Sequence, residues 1–296
     1  MLQNVFAWLR REASQPAGAG RLARWIGRNW ARWTYAVHVE PTWLEVNRHD
    51  IPIASLPDSH HGLRLVQMTD FHAGKHVTPK YLNEAVDAAM AEAADAVVLT
   101  GDYIHKGGRH VDDVARVLGR LHAPLGVYAV LGNHDYSVRN SLGYRRYKTL
   151  HQTVADALSN RGIRVLHNET LPLTRGDRHI FLSGVADLWS RVCDPHLALA
   201  GLCPNTPRIV LAHNPCTIER LGEHRCDLML SGHTHGGQVK LPLVGPVALG
   251  PKGRRFAAGF YRHGKSTVYV NKGVGFGLKL RYGVRPEIAV FTLRHA

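Results

Sequence analysis

Cysteine is scarce: Cys193, Cys203, Cys216 and Cys226 are the only four in 296 residues, and no pair has CxxC spacing. That excludes a zinc ribbon and a dense disulfide scaffold, and it makes reduced thiols and a cytosolic setting the expectation. No apolar run approaches the ~20 residues that a membrane-spanning helix needs. No internal repeat or low-complexity segment is present, which excludes a repeat array. Acidic residues are short as well, with 23 Asp and Glu against 37 Lys and Arg for a net charge of +14. Such a surface attracts anionic substrates, nucleic acids or anionic lipid headgroups. No zinc-finger spacing or aromatic RNP-type motif points to nucleic acid.

What the chain has instead is five short polar blocks, each near the end of an apolar run. They are Asp70-Phe71-His72, Gly101-Asp102, Gly132-Asn133-His134-Asp135, His213-Asn214 and Gly232-His233-Thr234-His235. Residues 63–68 read as a strand that delivers Asp70, 96–99 deliver Asp102, and 127–131 deliver Asn133. Residues 209–211 deliver His213, and 228–230 deliver His233. Short, continuous apolar runs are expected of strands covered on both faces. Helix-length stretches at 79–93 and 111–121 separate the early ones. The alternation predicts right-handed βαβ units around a mainly parallel sheet, where ligands gather beyond the carboxyl ends of strands.

An Asp after a strand is more often a turn or capping residue than a ligand, and Gly-Asp and Asn-His are common loop dipeptides. The full ordered set argues against that reading. Its candidate ligands are Asp70, His72, Asp102, Asn133, His213, His233 and His235. Oxygen and nitrogen donors without thiolate suit divalent Mn, Fe, Zn or Ni. Seven donors are too many for one tetrahedral ion and fit two ions sharing a carboxylate, so a dinuclear hydrolase is the leading reading.

The order D-x-H, GD, GNH[DE], a separate His and GH-x-H resembles the calcineurin-like metallophosphoesterase family, from about residue 62 to the C-terminus. The resemblance implies an α/β fold, a four-layer αββα sandwich, with strands at 267–271 and 287–292 in its second sheet. It implies that Asp70, His72, Asp102 and His235 hold one divalent ion and that Asp102, Asn133, His213 and His233 hold another. Manganese is the first expectation for both, with Fe, Zn or Ni as alternatives, and a hydroxide bridging them as nucleophile. His134 would face the substrate and protonate the leaving oxygen, and Asp135 would hydrogen-bond its ring. Gly236-Gly237-Gln238 and the segment 271–275 resemble a bacterial branch. It contains membrane-associated phosphodiesterases and a UDP-diacylglucosamine pyrophosphohydrolase. Other pyrophosphohydrolases of lipid A synthesis carry Arg where His134 stands. The implied substrate is a lipid-linked or nucleotide phosphodiester or pyrophosphate. A nuclease or cyclic-nucleotide phosphodiesterase is the alternative, and a non-catalytic basic binding protein the third reading.

Two units are expected: an amphipathic basic helical segment over residues 1–36 and one metallophosphoesterase domain over 37–296. On a helical wheel Leu22, Trp25, Ile26, Trp30 and Trp33 form one stripe, and Arg21, Arg24, Arg28 and Arg32 another. A Trp-bearing apolar face beside an Arg face is what an interfacial helix requires. Leu2, Val5, Phe6 and Leu9 make a shorter stripe before a breaker at 15–18, and Arg10-Arg11 lacks the apolar segment of an export signal. The alternative is a helix packed on the protein's own core. The expected setting is therefore cytoplasmic, peripheral on the inner face of the cell membrane, with an anionic phosphate-containing substrate and no protein partner. His105, Lys106, Arg109, His110, Arg139, Arg145 and Arg146 read as solvated loop cations with phosphate contact as the alternative, and Trp189 reads as a packed side chain.

Overall fold

A computed structural model describes residues 17–247 and 249–296; the stripe Leu2, Val5, Phe6 and Leu9 lies outside them. A first sheet runs in the order β1 (Glu45–Ile53), β14 (Glu287–His295), β2 (Arg64–Met68), β3 (Ala96–Leu99), β4 (Val127–Ala129) and β5 (Arg164–Val165). From β2 to β5 its strands are parallel. The second sheet runs β12 (Gly259–His263), β13 (Ser266–Val270), β9 (Leu228–Ser231), β8 (Arg208–Ala212), β7 (Arg178–Val185) and β6 (Glu169–Arg175). Its four central strands are parallel and its two edge strands antiparallel. A small hairpin, β10 (Lys240–Leu241) with β11 (Gly245–Pro246), stands apart from both.

Strand alternation builds the layers. Leu65 and Val98 share an inner core with Ile209, Leu211, Leu228 and Leu230 of the facing sheet. Their neighbours Val66 and Val97 point the other way, onto α2 (Pro79–Met90), α3 (Val111–Leu118) and α4 (Leu150–Ser159). On the far side, Val210, Ala212 and Met229 meet Ala198 and Leu199 of α5 (Pro195–Leu199), with Ile218 and Leu221. Three apolar layers between four layers of structure make the αββα sandwich. Helix α2 begins where its sequence allows: the Thr78 hydroxyl accepts from the Tyr81 amide, and Pro79 occupies the first turn.

One expectation needs correction. Strand β14 belongs to the first sheet, wedged between β1 and antiparallel β2, while β13 lies in the second. Its alternation, Phe291 inward and Val290 outward, would suit either sheet, and its pairing with residues 64–67 decides the matter. The region 168–205 holds the hairpin β6–β7 and the short helix α5, and β7 is an interior strand of its sheet.

Helix α1 (17–34) carries the Trp/Leu/Ile stripe, and all five residues are exposed, from 53% at Ile26 to 70% at Trp30. Packing of this face on the protein's own core is thus not what holds the helix. Its C-terminal end is tied down where Tyr35 meets Trp43 and Tyr282 edge-on and the Arg281 amide donates to the Ala36 carbonyl. Among the described residues no helix is long and apolar enough to cross a membrane.

Candidate metal centre

All five polar blocks follow the carboxyl ends of strands β2, β3, β4, β8 and β9, so the two sheets bring their ligands to one rim. Asp70, His72, Asp102, Asn133, His213 and His235 are buried and His233 is half-buried. The backbone there is bent in an uncommon way. Asp70 (φ 55°), His72 (46°), Asp102 (57°), His233 (74°) and His235 (51°) all occupy the left-handed region. Only a few per cent of non-glycine residues do so, and such strain collects at functional sites.

The donor atoms converge in two groups. His72 Nε2 lies 2.9 Å from His235 Nε2, which is 3.2 Å from Asp70 Oδ1. His233 Nδ1 lies 2.9 Å from Asn133 Oδ1 and 3.3 Å from His213 Nε2. Between the groups sits Asp102 Oδ2, 3.5 Å from His72 Nε2 and 3.3 Å from His213 Nε2. Metal–ligand bonds of about 2.0–2.2 Å place adjacent ligands of one ion roughly 3.0–3.5 Å apart. The spacings match those of ligands sharing an ion, and the all-oxygen-and-nitrogen set fits two divalent ions.

Neighbouring backbone aims these donors. The Nδ1–H of His213 donates to the Thr100 carbonyl at 2.7 Å, which turns Nε2 into the site. The Asn133 amide nitrogen donates to the Val138 carbonyl at 2.7 Å and leaves Oδ1 free. Such supporting bonds fix tautomer and orientation in metal sites. Burial opposes charge on Asp102, yet the His213 and His134 rings hold its carboxyl well below the usual range. Burial also opposes charge on His213, but the Asp102 carboxylate pushes that imidazole up.

Two glycines are required by close approach. A Cβ on Gly132 would lie 2.2 Å from Asp102 Oδ1, and one on Gly232 would lie 2.2 Å from Asp70 Oδ2. Gly232→Ala is accordingly expected to displace Asp70 and His233 and lower metal affinity by about 10–100-fold, the scale seen when ligand support is lost. Metal titration followed by calorimetry checks this, with unchanged affinity as the contrary result.

Asp135 does not do what the motif implied. Its carboxylate is spent on backbone, accepting from the amides of Asp102 (2.9 Å), Tyr103 (3.0 Å) and Gly132 (2.8 Å). It thereby ties the Gly101-Asp102 loop to the Gly132 loop and never reaches the His134 ring. The ring is oriented instead by the His105 carbonyl, which accepts from His134 Nδ1 at 2.7 Å and from Arg139 at 3.2 Å. His105, Lys106, Arg139, Tyr144, Arg146 and Tyr147 surround His134 in a cavity of about 300 Å³. Arg145 instead donates to the Ser190 carbonyl, and His110 pairs with Asp113 at 3.6 Å beside α3. Trp189 packs edge-on against His233, ring centres 4.5 Å apart. With Leu188, Pro215, Cys216 and Leu249 it lines a second cavity of about 490 Å³. The carbonyls of Thr100, His105 and Val138 escaped sequence reasoning because a backbone acceptor leaves no mark on residue type.

Residues 63–237 match the calcineurin-like phosphoesterase family, and the chain belongs to it. It is 33% identical over 265 residues to the uncharacterized metallophosphoesterase YkuE of Bacillus subtilis, covering 88% of this chain and 89% of that one. It is 31% identical to the phosphodiesterase YaeI of Escherichia coli, over 88% of this chain and 92% of the relative. It is 28% identical to the UDP-2,3-diacylglucosamine pyrophosphatase LpxG of Chlamydia trachomatis, over 87% and 92%. The chain is thus a phosphoester-hydrolysing enzyme of a family that uses a dinuclear divalent metal centre.

Proposed function

We propose that this enzyme cleaves a phosphodiester or pyrophosphate bond in an amphipathic substrate, a lipid-linked nucleotide such as a UDP-diacylglucosamine, at the cytoplasmic face of a membrane. One observation carries the reading: the ligand cluster is flanked by two unlike cavities. On the His134 side Lys106, Arg139 and Arg146 stand with Tyr144 and Tyr147, a set that suits a second anionic group and a stacking base. On the His233 side Leu188, Trp189, Pro215 and Leu249 form an apolar wall that suits an apolar group, with Glu219 and Arg220 also lining the cavity. The names of the Escherichia coli and Chlamydia relatives, a phosphodiesterase and a lipid-nucleotide pyrophosphatase, support the same class. The exposed Trp/Leu/Ile stripe of α1 supports attachment to an anionic lipid surface.

Asp70, His72, Asp102 and His235 would hold one ion, and Asp102, Asn133, His213 and His233 the other, with manganese the first expectation. Two such ions, when bound, polarise the phosphoryl group and acidify a water. The protein's own contribution centres on His134. Its Nδ1–H is committed to the His105 carbonyl, so Nε2 is the nitrogen left to exchange a proton with the leaving oxygen. Asp135 acts as a positioning residue for the Asp102 loop. Lys106, Arg139 and Arg146 orient the anionic part of the substrate, and Trp189 keeps water from the opposite flank.

A manganese-supplemented panel of a UDP-linked lipid, a nitrophenyl diester, a monoester, a cyclic nucleotide and single-stranded DNA tests this. The UDP-lipid should turn over fastest. Arg139→Ala combined with Arg146→Ala should raise KM for it by ~10-fold or more, the scale of a lost charge-assisted contact. A nitrophenyl diester, which does not reach these side chains, should be nearly unaffected. Preference for DNA or a cyclic nucleotide would replace this reading with a nuclease or cyclic-nucleotide phosphodiesterase.

A further inference from the structure

Residues 241–250 contain no charged or hydrogen-bonding side chain. A ten-residue stretch of that kind ordinarily enters a core. Here Leu241, Leu243, Val244 and Val247 are exposed, and Leu243 at the turn is as open as an isolated side chain. The hairpin β10–β11 carries Leu241, Leu243 and Val244. Its base is fixed where the Lys240 amide donates to the Tyr282 carbonyl at 2.8 Å and the Tyr282 amide to the Gln238 carbonyl at 2.9 Å. The Gln238 side chain donates to the carbonyls of Leu278 and Leu280, both at 2.8 Å, and Leu278 is itself exposed. Two separate segments therefore present apolar tips from one braced support.

That support adjoins both the metal centre and α1. Gln238 follows His235 by three residues, and a Cβ on Gly277 would lie 3.8 Å from His105 and 3.9 Å from Gln238. The loop ending in Leu278 is thus part of the rim over the ligands. At the other side, Tyr282 meets Tyr35, and Arg281 bonds Ala36 at the end of α1. Tyr35, Tyr282, Lys240, Pro242 and Pro246 line one cavity of about 850 Å³, so helix end and hairpin share a corner.

We propose that the hairpin tip and Leu278 form a second membrane-insertion element, which seats the rim of the metal centre on an anionic bilayer. The inference rests on the membrane-surface reading above and adds an element independent of α1. Exposed apolar clusters mark interaction sites. A lipid layer is the occupant favoured here because the exposed apolar tip stands beside cations and shares a corner with the end of α1, whose Trp/Leu/Ile stripe is exposed as well. Lys240 and Lys279 flank it, and the chain carries a net +14. An interfacial protein inserts apolar side chains to the depth of the headgroups and keeps cations at the surface. With the rim so placed, a lipid-linked substrate passes from the bilayer to the ligands without crossing water.

The test uses the full chain and vesicles of equal parts phosphatidylglycerol and phosphatidylcholine, read by flotation. Leu243→Asp with Val244→Asp changes only exposed side chains. It should weaken vesicle binding about tenfold or more, as expected when two apolar groups no longer insert. Leu278→Asp should act in the same direction, and Leu243→Phe should bind like the unmodified protein. Hydrolysis of a soluble nitrophenyl diester should be unchanged in the double variant and in Leu243→Phe. Undiminished vesicle binding by the double variant, when Trp30→Ala with Trp33→Ala weakens it, would overturn the hairpin proposal and leave the α1 reading standing. No vesicle binding by the unmodified chain would overturn both. Loss of self-association in place of vesicle binding would make the tip a protein contact and overturn the proposal. Loss of diester hydrolysis in the double variant would do so too, by making the hairpin part of the catalytic rim.

Discussion

Asp102→Asn is expected to empty the centre of at least one metal and to remove nearly all activity. The reason lies in the position of a single oxygen. Asp102 Oδ2 is the atom that reaches both donor groups, 3.5 Å from His72 Nε2 and 3.3 Å from His213 Nε2. Oδ1 is already engaged by the His134 amide at 2.9 Å, so the carboxylate cannot swing to compensate. An amide in its place carries no charge, and its nitrogen would present hydrogens either to the ions or to that backbone N–H. The loss should exceed the ~10–100-fold typical of groups that merely support a ligand. Elemental analysis after dialysis, with turnover of a soluble diester, checks both halves. Two metals per chain with unmodified turnover would show that Asp102 does not bridge. Asp135→Asn is the informative companion. Its amide group would turn hydrogens toward at least one of three backbone N–H groups, so it should loosen the Asp102 loop without removing a donor.

How much of this was legible in the amino-acid order follows from what each feature depends on. The strands that lead to the candidate ligands are dominated by apolar residues because both their faces are covered. That density is visible in residues 96–99 or 209–211 without coordinates. The five polar blocks stand out because donors of one chemical kind recur at the ends of those strands. The α1 stripe is likewise a period that any wheel reveals. Strand β14 is different: alternating Ile288, Ala289, Val290 and Phe291 fits either sheet, and only pairing with β2 distinguishes them. The partner of Asp135 was misjudged for a related reason. Adjacency to His134 suggests a side-chain bond, whereas the chain turns there and delivers the carboxylate to a loop thirty-odd residues earlier in sequence. The left-handed backbone at five candidate-ligand positions was not assigned either, since Asp and His adopt it more often than most residues but far too seldom to place it. The neighbouring glycines at 132 and 232 record how tightly the loops approach. The hairpin at 241–244 reads as core by composition and is exposed in space, which is where hydropathy alone misleads.

His134→Ala is expected to leave metal content intact and to slow the chemical step by ~100-fold or more, the usual contribution of a positioned acid or base. The two halves of that expectation have separate grounds. The ring contributes no atom to either donor group: its Nδ1 is bound to the His105 carbonyl at 2.7 Å, and it meets His72 only edge-on, ring centres 4.7 Å apart. The contact between the His134 amide and Asp102 Oδ1 belongs to the backbone and survives the substitution. What disappears is the proton at Nε2. If that proton goes to the leaving oxygen, its value depends on how badly the leaving group needs it. A nitrophenolate departs readily unprotonated, so the variant should lose little on a nitrophenyl diester. An alkoxide does not, so the loss should be large on an alkyl diester. Rates for a series of diesters with leaving groups of graded acidity, measured at saturating manganese on both proteins, give the slope. A steeper dependence in the variant identifies His134 as the proton donor. A parallel loss across the series would instead assign it to binding the phosphoryl group, and loss of metal would assign it to the shell of the ions.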